Sequence, residues 1–339
     1  MFFDRLLVFL GLKRPNEESP SPHLSSVRAR PVSGTKLRTL DDLSRVLGVD
    51  SKALESFDVR YHQFRIAKRS RKGSKVRLAG SIEQGSARWP RPDKMRTIQA
   101  PNPQLKALQR KILRRVLGKL KASDAAMAYE RGRSIVTHAE RHSDQAVVIG
   151  MDICDFFGST GADRVQEYFR AIGWDKRSSS VLTRLVTFEN ALPQGAPTSP
   201  RLANLVNVKM DACLAGLAKW AGGTYSRYSD DIAFSFPHDN PRLVKVVVDL
   251  AGNYVTDFGY DLHMKEKLFI RRAHQRQVIT GLVVNNGPPR LSRETKRWLR
   301  AVRHRMSQGG QIAERPTLSP SQLQGWEAFE RMVEERGEA

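Results

Sequence analysis

Cysteine is nearly absent from this chain: Cys154 and Cys213 are the only two among 339 residues. Two thiols with no paired framework and no metal-ligand spacing exclude a disulfide scaffold or a cysteine-based zinc module, and they fit a reduced cytoplasmic interior. No apolar run is long enough to span a bilayer. Internal repeats and a glycine-rich dinucleotide fingerprint are missing too. Acidic residues are scarce beside basic ones, 35 against 57, for a formal net charge of +22. A folded chain this basic repels itself unless a polyanion neutralises it. Nucleic acid is the leading candidate, and an anionic membrane surface is its competitor. A hydrophobic fraction of 40% excludes wholesale disorder, and the length suffices for a sizeable core and more than one lobe.

The opening stretch MFFDRLLVFLGLKRP is apolar, but Asp4 and Arg5 interrupt it and no small-residue cleavage site follows. It is expected to form a short amphipathic helix docked on the body. Residues 13–36, rich in Pro, Ser and charge, read as a linker or arm. Short helices follow, capped by Thr39 or Asp41, and then a basic hairpin-like region over 64–89. Residues 101–120 predict a strong helix in which Leu105, Leu108, Ile112, Leu113 and Val116 recur at helical spacing.

The centre of the chain alternates strands and helices. A continuous apolar run from Ala146 to Met151 predicts a buried strand that delivers Asp152 at its C-terminal end. Ser159 or Thr160 is placed to cap the next helix, whose face carries Val165, Tyr168, Phe169 and Ile172. The Pro/Gly loop ALPQGAPTSP leads into a long helix from Pro200 to Gly222-Gly223. In SRYSDDIAFSF, Ile232, Phe234 and Phe236 alternate with Ala233 and Ser235, while Tyr228 and Ser226 continue the alternation on the near side. Asp230 and Asp231 therefore sit at a hairpin tip. A helix over 241–259, a strand over 277–286 and a final helical segment complete the pattern. The fold class is α+β: a mostly antiparallel sheet backed by helices.

Three carboxylates on one sheet edge repel each other, which raises pKa values and costs stability unless a cation intervenes. Mg²⁺ requires hard oxygen ligands of this kind, with Mn²⁺ as a substitute. Two such ions about 3.5–4 Å apart stabilise the attacking and leaving oxygens of an in-line phosphoryl transfer. Each element alone is ordinary, since Asp and Ser favour turns for backbone reasons. The ordered combination on a very basic chain is what points to this chemistry.

In that combination the sequence resembles the reverse transcriptases, and among them the bacterial retron type. MDICDFF resembles the family's first catalytic motif, LPQGAPTSP its nucleotide-pocket loop and YSDD its catalytic hairpin. RTIQAPNPQLKALQRKIL resembles the fingers-to-palm entry. VITGLVVNN and SIVTHAERH resemble the Val-Thr-Gly and Asn-Ala-x-x-His segments of retron enzymes, with His138 in place of the Asn. The resemblance implies a right-hand polymerase: an extension over 1–38, N-terminal helices and fingers over 39–145, a palm over 146–286 and a helical thumb over 287–339. The pocket loop of the palm would span 192–200.

The resemblance also implies roles. Asp152, Asp230 and Asp231 would be the catalytic, metal-binding triad, with the Ile153 carbonyl as an extra ligand. Phe157 would gate the sugar of the incoming nucleotide against a 2′-OH; the competing reading is a core Phe beside Phe156. Gln194 and Gly195 would border that pocket. Arg96, with Lys75 and Arg77, would meet the triphosphate, and Lys267 would supply the late palm lysine where Glu266 holds the ungapped position. Tyr228, Ser229, His142, Arg297 and Arg300 would contact primer or RNA, Ser229 standing where the retron enzymes usually carry Ala. As a zinc site, the His138/His142 pair lacks its further ligands. The basic amphipathic segment 291–306, with Leu291, Trp298, Leu299, Val302 and Met306 on one face, would be the thumb helix gripping an A-form duplex.

The expected function is an RNA-directed DNA polymerase that copies part of its own structured non-coding RNA. The resemblance implies priming from a 2′-OH, a branched RNA–DNA product, deoxynucleotide triphosphate substrates, and phage defence with a separately encoded effector protein and no membrane. The rivals are a group II intron or diversity-generating reverse transcriptase, or a silent RNA-binding protein on the same scaffold. The intact loop from Gln194 to Pro200 argues against a diversity-generating enzyme, and the presence of all three carboxylates against the silent binder. An intron protein would normally carry maturase and DNA-binding domains, for which 339 residues leave little room.

Overall fold

The computed structural model describes residues 37–67, 95–265, 267–307 and 318–335. The expected N-terminal helix, the linker, most of the basic hairpin with Lys75 and Arg77, and Glu266 lie outside the described residues. Chain order begins with α1 (Leu40–Leu47) and α2 (Ser51–Glu55), then the strands β1 (Tyr61–Ala67) and β2 (Met95–Pro101). α3 (Pro103–Ile112) runs on into a π-helical turn, Leu113–Leu117, and α4 (Ile135–Glu140) precedes β3 (Val147–Asp152). α5 (Ala162–Ala171), α6 (Lys176–Val186), α7 (Ser199–Val206) and α8 (Val208–Trp220) lead to the hairpin of β4 (Thr224–Tyr228) and β5 (Asp231–Phe236). α9 (Pro241–Asp257), β6 (Phe269–Arg272), β7 (Val278–Ile279), β8 (Leu282–Val283), α10 (Arg293–Ser307) and α11 (Pro320–Glu335) follow.

The main sheet has the order β4-β5-β3-β6, every pair antiparallel. β3 is buried at every position, as its apolar run requires. Its period of two divides the protein into two cores. Val147, Ile149 and Met151, with Ile232, Phe234 and Phe236 of β5, join the large helical core. Val148 and Ala233 face a smaller cluster with Val136 and Ala139 of α4, Ile279 and Leu282. Gly150 admits Phe269 from β6, since a Cβ there would lie 2.1 Å from that ring. The sheet is thus packed on both faces, which holds the ends of its strands in place.

Several local details depart from expectation, each for a stated reason. Of the two caps expected for α1, Thr39 is the one that forms, through a reciprocal box with Asp42. Gly161 is the N-cap of α5; Thr160 instead donates to the Phe156 carbonyl and bonds Tyr260. The long helix from Pro200 breaks at Asn207, whose amide donates to Ala203 O and Tyr260 Oη, both at 2.8 Å. That side chain competes with the backbone ladder. The strand expected over 277–286 is a tight hairpin, because Thr280 and Gly281 both adopt left-handed backbone at φ 46° and 90°. The final helical segment is two helices. Lys296–Glu334 and Arg303–Glu327 ion pairs join them, with the Trp298 and Trp326 rings 5.1 Å apart.

Candidate active site

Asp152 and Asp231 are direct cross-strand partners, the last residue of β3 facing the first of β5. Asp230 adjoins them in the two-residue turn between β4 and β5, where Ser229 takes the left-handed conformation at φ 61°. The Ile153 N–H donates to the Asp230 carbonyl at 2.9 Å, tying the turn to the end of β3. On the other side, His263 N–H donates to Asp152 O and Cys154 N–H to Asp261 O, at 2.9 and 2.7 Å. These two bonds of the Ile153–Leu262 bridge leave Ile153's own carbonyl out of the pair. The three carboxylates therefore meet at one sheet end.

Their electrostatics are those of crowded acids. Burial pushes the Asp152 carboxyl up, opposed by the hydrogen bond and charge of Lys267. Burial pushes Asp230 up as well, followed by the charges of Asp231 and Asp152. Lys267 forms an ion pair with Asp152 Oδ2, and His263 Nε2 lies 3.9 Å from the same oxygen. Among the described residues, no three His, Cys, Asp or Glu side chains are gathered closely enough to hold an ion as they stand. The donor set nevertheless fits a hard divalent cation: the oxygens are carboxylates, they repel each other, and a cationic side chain occupies one of them.

Phe156 and Phe157 separate cleanly. Phe156 is buried against Tyr260, with the Arg227 guanidinium 5.3 Å from its ring centre. Phe157, five residues after Asp152, remains half-buried at the core margin. Gln194 is bound to β2 in both directions: Gln99 N–H donates to its carbonyl at 2.9 Å, and its own N–H donates to Gln99 Oε1 at 3.2 Å. Gly195 has φ 142°, and a Cβ would lie 2.7 Å from Gln99 O, so this close backbone approach requires glycine. Arg96 is exposed on β2, three residues before Gln99. Arg297 and Arg300 are exposed on α10, far along the chain from the carboxylates.

His142 was expected at a nucleic-acid surface, and the structure places it elsewhere. Its side chain is wholly buried, with Nδ1 bonded to Ser235 and Nε2 to Ser226 at 2.7 and 2.6 Å. It joins β4 to β5 from beneath and has no ring nitrogen to offer a ligand. Burial lowers its pKa to about 3, so the ring is neutral at working pH. His138 is buried beside it and stacks on Tyr228 at 5.5 Å. Tyr228 is half-buried, and Ser229 is buried with its hydroxyl bonded to Tyr129.

Sequence reasoning missed the buried ion pair that braces this hairpin. Arg227 and Asp211 have fully buried side chains, with Nη2–Oδ2 at 2.7 Å and Nε–Oδ1 at 2.8 Å. Arg227 Nη1 also donates to the Ser229 carbonyl at 3.0 Å, directly under the turn. The available signal was one Arg on the core-facing phase of β4 and one Asp in the stretch VKMDACLAGL, apolar apart from it and Lys209.

A sheet end carrying three carboxylates suits phosphoryl transfer on nucleotides. Residues 82–278 match the family model "Reverse transcriptase (RNA-dependent DNA polymerase)". The chain belongs to the reverse transcriptases, and it is an RNA-directed DNA polymerase. That membership carries the right-hand polymerase fold, with which the mixed helices and antiparallel sheets agree, and a general use of divalent metal ions.

Within the family it is of the bacterial retron type. It is 30% identical over 311 residues to the retron Ec86 reverse transcriptase of Escherichia coli, covering 91% of this chain and 88% of that one. Two reverse transcriptases of Myxococcus xanthus are similar as well. The retron Mx162 enzyme is 36% identical, covering 70% of this chain and 55% of its own. The retron Mx65 enzyme is 33% identical, covering 79% and 62%. Among the described residues, no helix is long and apolar enough to cross a membrane.

Proposed function

We propose that this polymerase copies part of one cognate structured RNA into DNA at the end of β3 and β5, with Asp152, Asp230 and Asp231 as its metal-binding triad. The observation that carries this reading is the register of Asp152 against Asp231 with Asp230 in the adjoining turn. Two divalent ions, Mg²⁺ or Mn²⁺ in its place, would supply charge for the attacking and leaving oxygens of the transferred phosphoryl group. The Asp152, Asp230 and Asp231 carboxylates hold that charge, and the Ile153 carbonyl adds an oxygen beside them. Phe157, at the core margin, closes the space where a ribose 2′-OH would lie. Gln194 and Gly195 present backbone to the incoming deoxynucleotide, Arg96 meets its phosphates, and Lys267 leaves Asp152 for the triphosphate.

In this reading residues 39–145 are the fingers side, 146–286 the palm and 287–339 the thumb, with 1–38 an extension. Arg297 and Arg300 contact duplex phosphates, and Tyr228 and Ser229 face the primer. The chemistry starts from a 2′-OH of the RNA and leaves a branched RNA–DNA molecule. Its biological setting is phage defence, with an effector protein encoded separately.

The test is to purify the chain with its bound nucleic acid and digest with RNase. A discrete DNA joined to a short RNA remnant is expected; linear DNA with a free 5′ end would refute 2′-OH priming. Asp230→Asn with Asp231→Asn should abolish synthesis while RNA stays bound, and undiminished extension would remove the triad from the reaction.

A further inference from the structure

The segment before α4 extends the sheet. Arg227 N–H donates to Ala125 O at 2.8 Å and Met127 N–H to Arg227 O at 2.7 Å, so residues 125–127 lie along the outer edge of β4. The chain is then pinned on both sides of one residue. Asn204 Nδ2 donates to Ala128 O at 2.8 Å and to Glu130 Oε1 at 2.9 Å, and Arg201 pairs with Glu130. Between these anchors sits Tyr129, with φ 62°.

Tyr129 combines three properties that packing does not explain. Its backbone is left-handed, a conformation unfavourable for a bulky residue. Its side chain is 51% exposed, more than any other exposed large hydrophobic among the described residues. Its hydroxyl donates to Ser229 Oγ at 3.1 Å, and Ser229 is itself left-handed. Strain of this kind persists only where the surroundings over-determine it. Here the buried Arg227–Asp211 pair holds the Ser229 carbonyl, and Asn204 holds Ala128 and Glu130. The fold gains little by exposing the ring, so the rigid support serves something the ring touches.

We infer that Tyr129 is a primer-contact residue: its ring lies against the sugar and base edge of the primer's terminal nucleotide, and the Ser229 hydroxyl latches it there. The inference rests on the reading of Asp152, Asp230 and Asp231 as the polymerising site. Ser229 immediately precedes Asp230, so a ring bonded to Ser229 borders whatever reacts at those carboxylates. An aromatic face contacts any nucleotide with little regard to sequence, as a polymerase advancing along a template requires. Ser229 thereby acquires a role as the acceptor that fixes the ring.

The test is steady-state extension of a DNA primer annealed to an RNA template by the full chain, with separate KM values for duplex and deoxynucleotide. Tyr129→Gly removes the ring and relieves the left-handed backbone, so its Tm should match or exceed the wild type's. Its KM for duplex should rise about tenfold, with the deoxynucleotide KM unchanged. Ser229→Ala and Tyr129→Phe should each raise the duplex KM about two- to fivefold, and the double variant no further, because both delete one hydrogen bond. A wild-type duplex KM in Tyr129→Gly, or a rise confined to the deoxynucleotide KM, would overturn the inference. If the wild type extends primers but keeps full activity after Asp230→Asn and Asp231→Asn, the site reading falls first and this inference with it.

Discussion

The β1–β2 ribbon and the four-stranded sheet are built from strands of similar length, yet they are held in opposite ways. In the ribbon, seven residues pair with seven, and nearly every β1 side chain is exposed, including Phe64 and Ile66. Among the described residues it is anchored near its base, where Gln109 Nε2 donates to Tyr61 Oη at 2.7 Å, through Gln63 to Glu189 at 3.1 Å, and through Gln99 to the Gln194 loop. The sheet is clamped on both faces, by the helical core and by α4 with the β7–β8 hairpin. A ribbon whose first strand is largely exposed bends more cheaply than a sheet buried on both faces. The carboxylates therefore stand on the rigid element, and the Gln194–Gly195 loop, proposed to border the nucleotide, is tied to the compliant one.

The strongest way to break this contrast is to remove the brace under the hairpin. Arg227→Ala leaves Asp211 as an uncompensated buried charge and should cost about 3–5 kcal/mol, read by urea unfolding. A loss below about 1 kcal/mol would mean that the turn is not held from beneath. Next is the hinge between ribbon and loop. Gly195→Ala puts a Cβ against the Gln99 carbonyl at a backbone angle that strains any L residue, so Tm should fall and the KM for deoxynucleotide should rise about tenfold. An unchanged KM would separate the loop from nucleotide binding.

A smaller effect sharpens the division between the two phenylalanines. Phe157→Val should lower the preference for deoxy- over ribonucleotides about tenfold, measured as a ratio of kcat/KM values. Unchanged discrimination would return Phe157 to the core with Phe156. The smallest effect concerns charge on the rigid element. Asp152 and Asp230 have raised pKa values, so the folded chain binds their protons more tightly than the unfolded chain does. Their penalty is fully present above the folded pKa and fades as pH falls through it. In metal-free buffer, Asp230→Asn should raise Tm slightly at pH 7, and the gain should vanish in acid. A lowered Tm at pH 7 would show that the carboxylates do not repel.

The sheet was legible because its signals are local. An unbroken apolar run ending in Asp152, and strict alternation through Ile232, Phe234 and Phe236, leave few alternatives to paired buried strands. The meeting of Asp152 with Asp231 follows once those strands pair. What stayed hidden depended on partners distant in sequence. The Asn207 break needs Tyr260, the Arg227 brace needs Asp211 packed below it, and His142 is removed from the surface by two serines on neighbouring strands. Tyr129 gave no signal in sequence, since its meaning lies in a backbone angle and one hydroxyl across 100 positions.

The pairing of α10 with α11 has a consequence for orientation. Glu327 and Glu330 engage Arg303, and Glu334 engages Lys296, so one flank of α10 is internally neutralised. Arg293, Arg297, Arg300 and His304 recur at helical spacing on the other, exposed flank. A rod of negative charge arriving at this helix meets little attraction from the neutralised side and strong attraction from the other. The acidic helix thus acts as a blinker, giving the arginines a single direction in which to look.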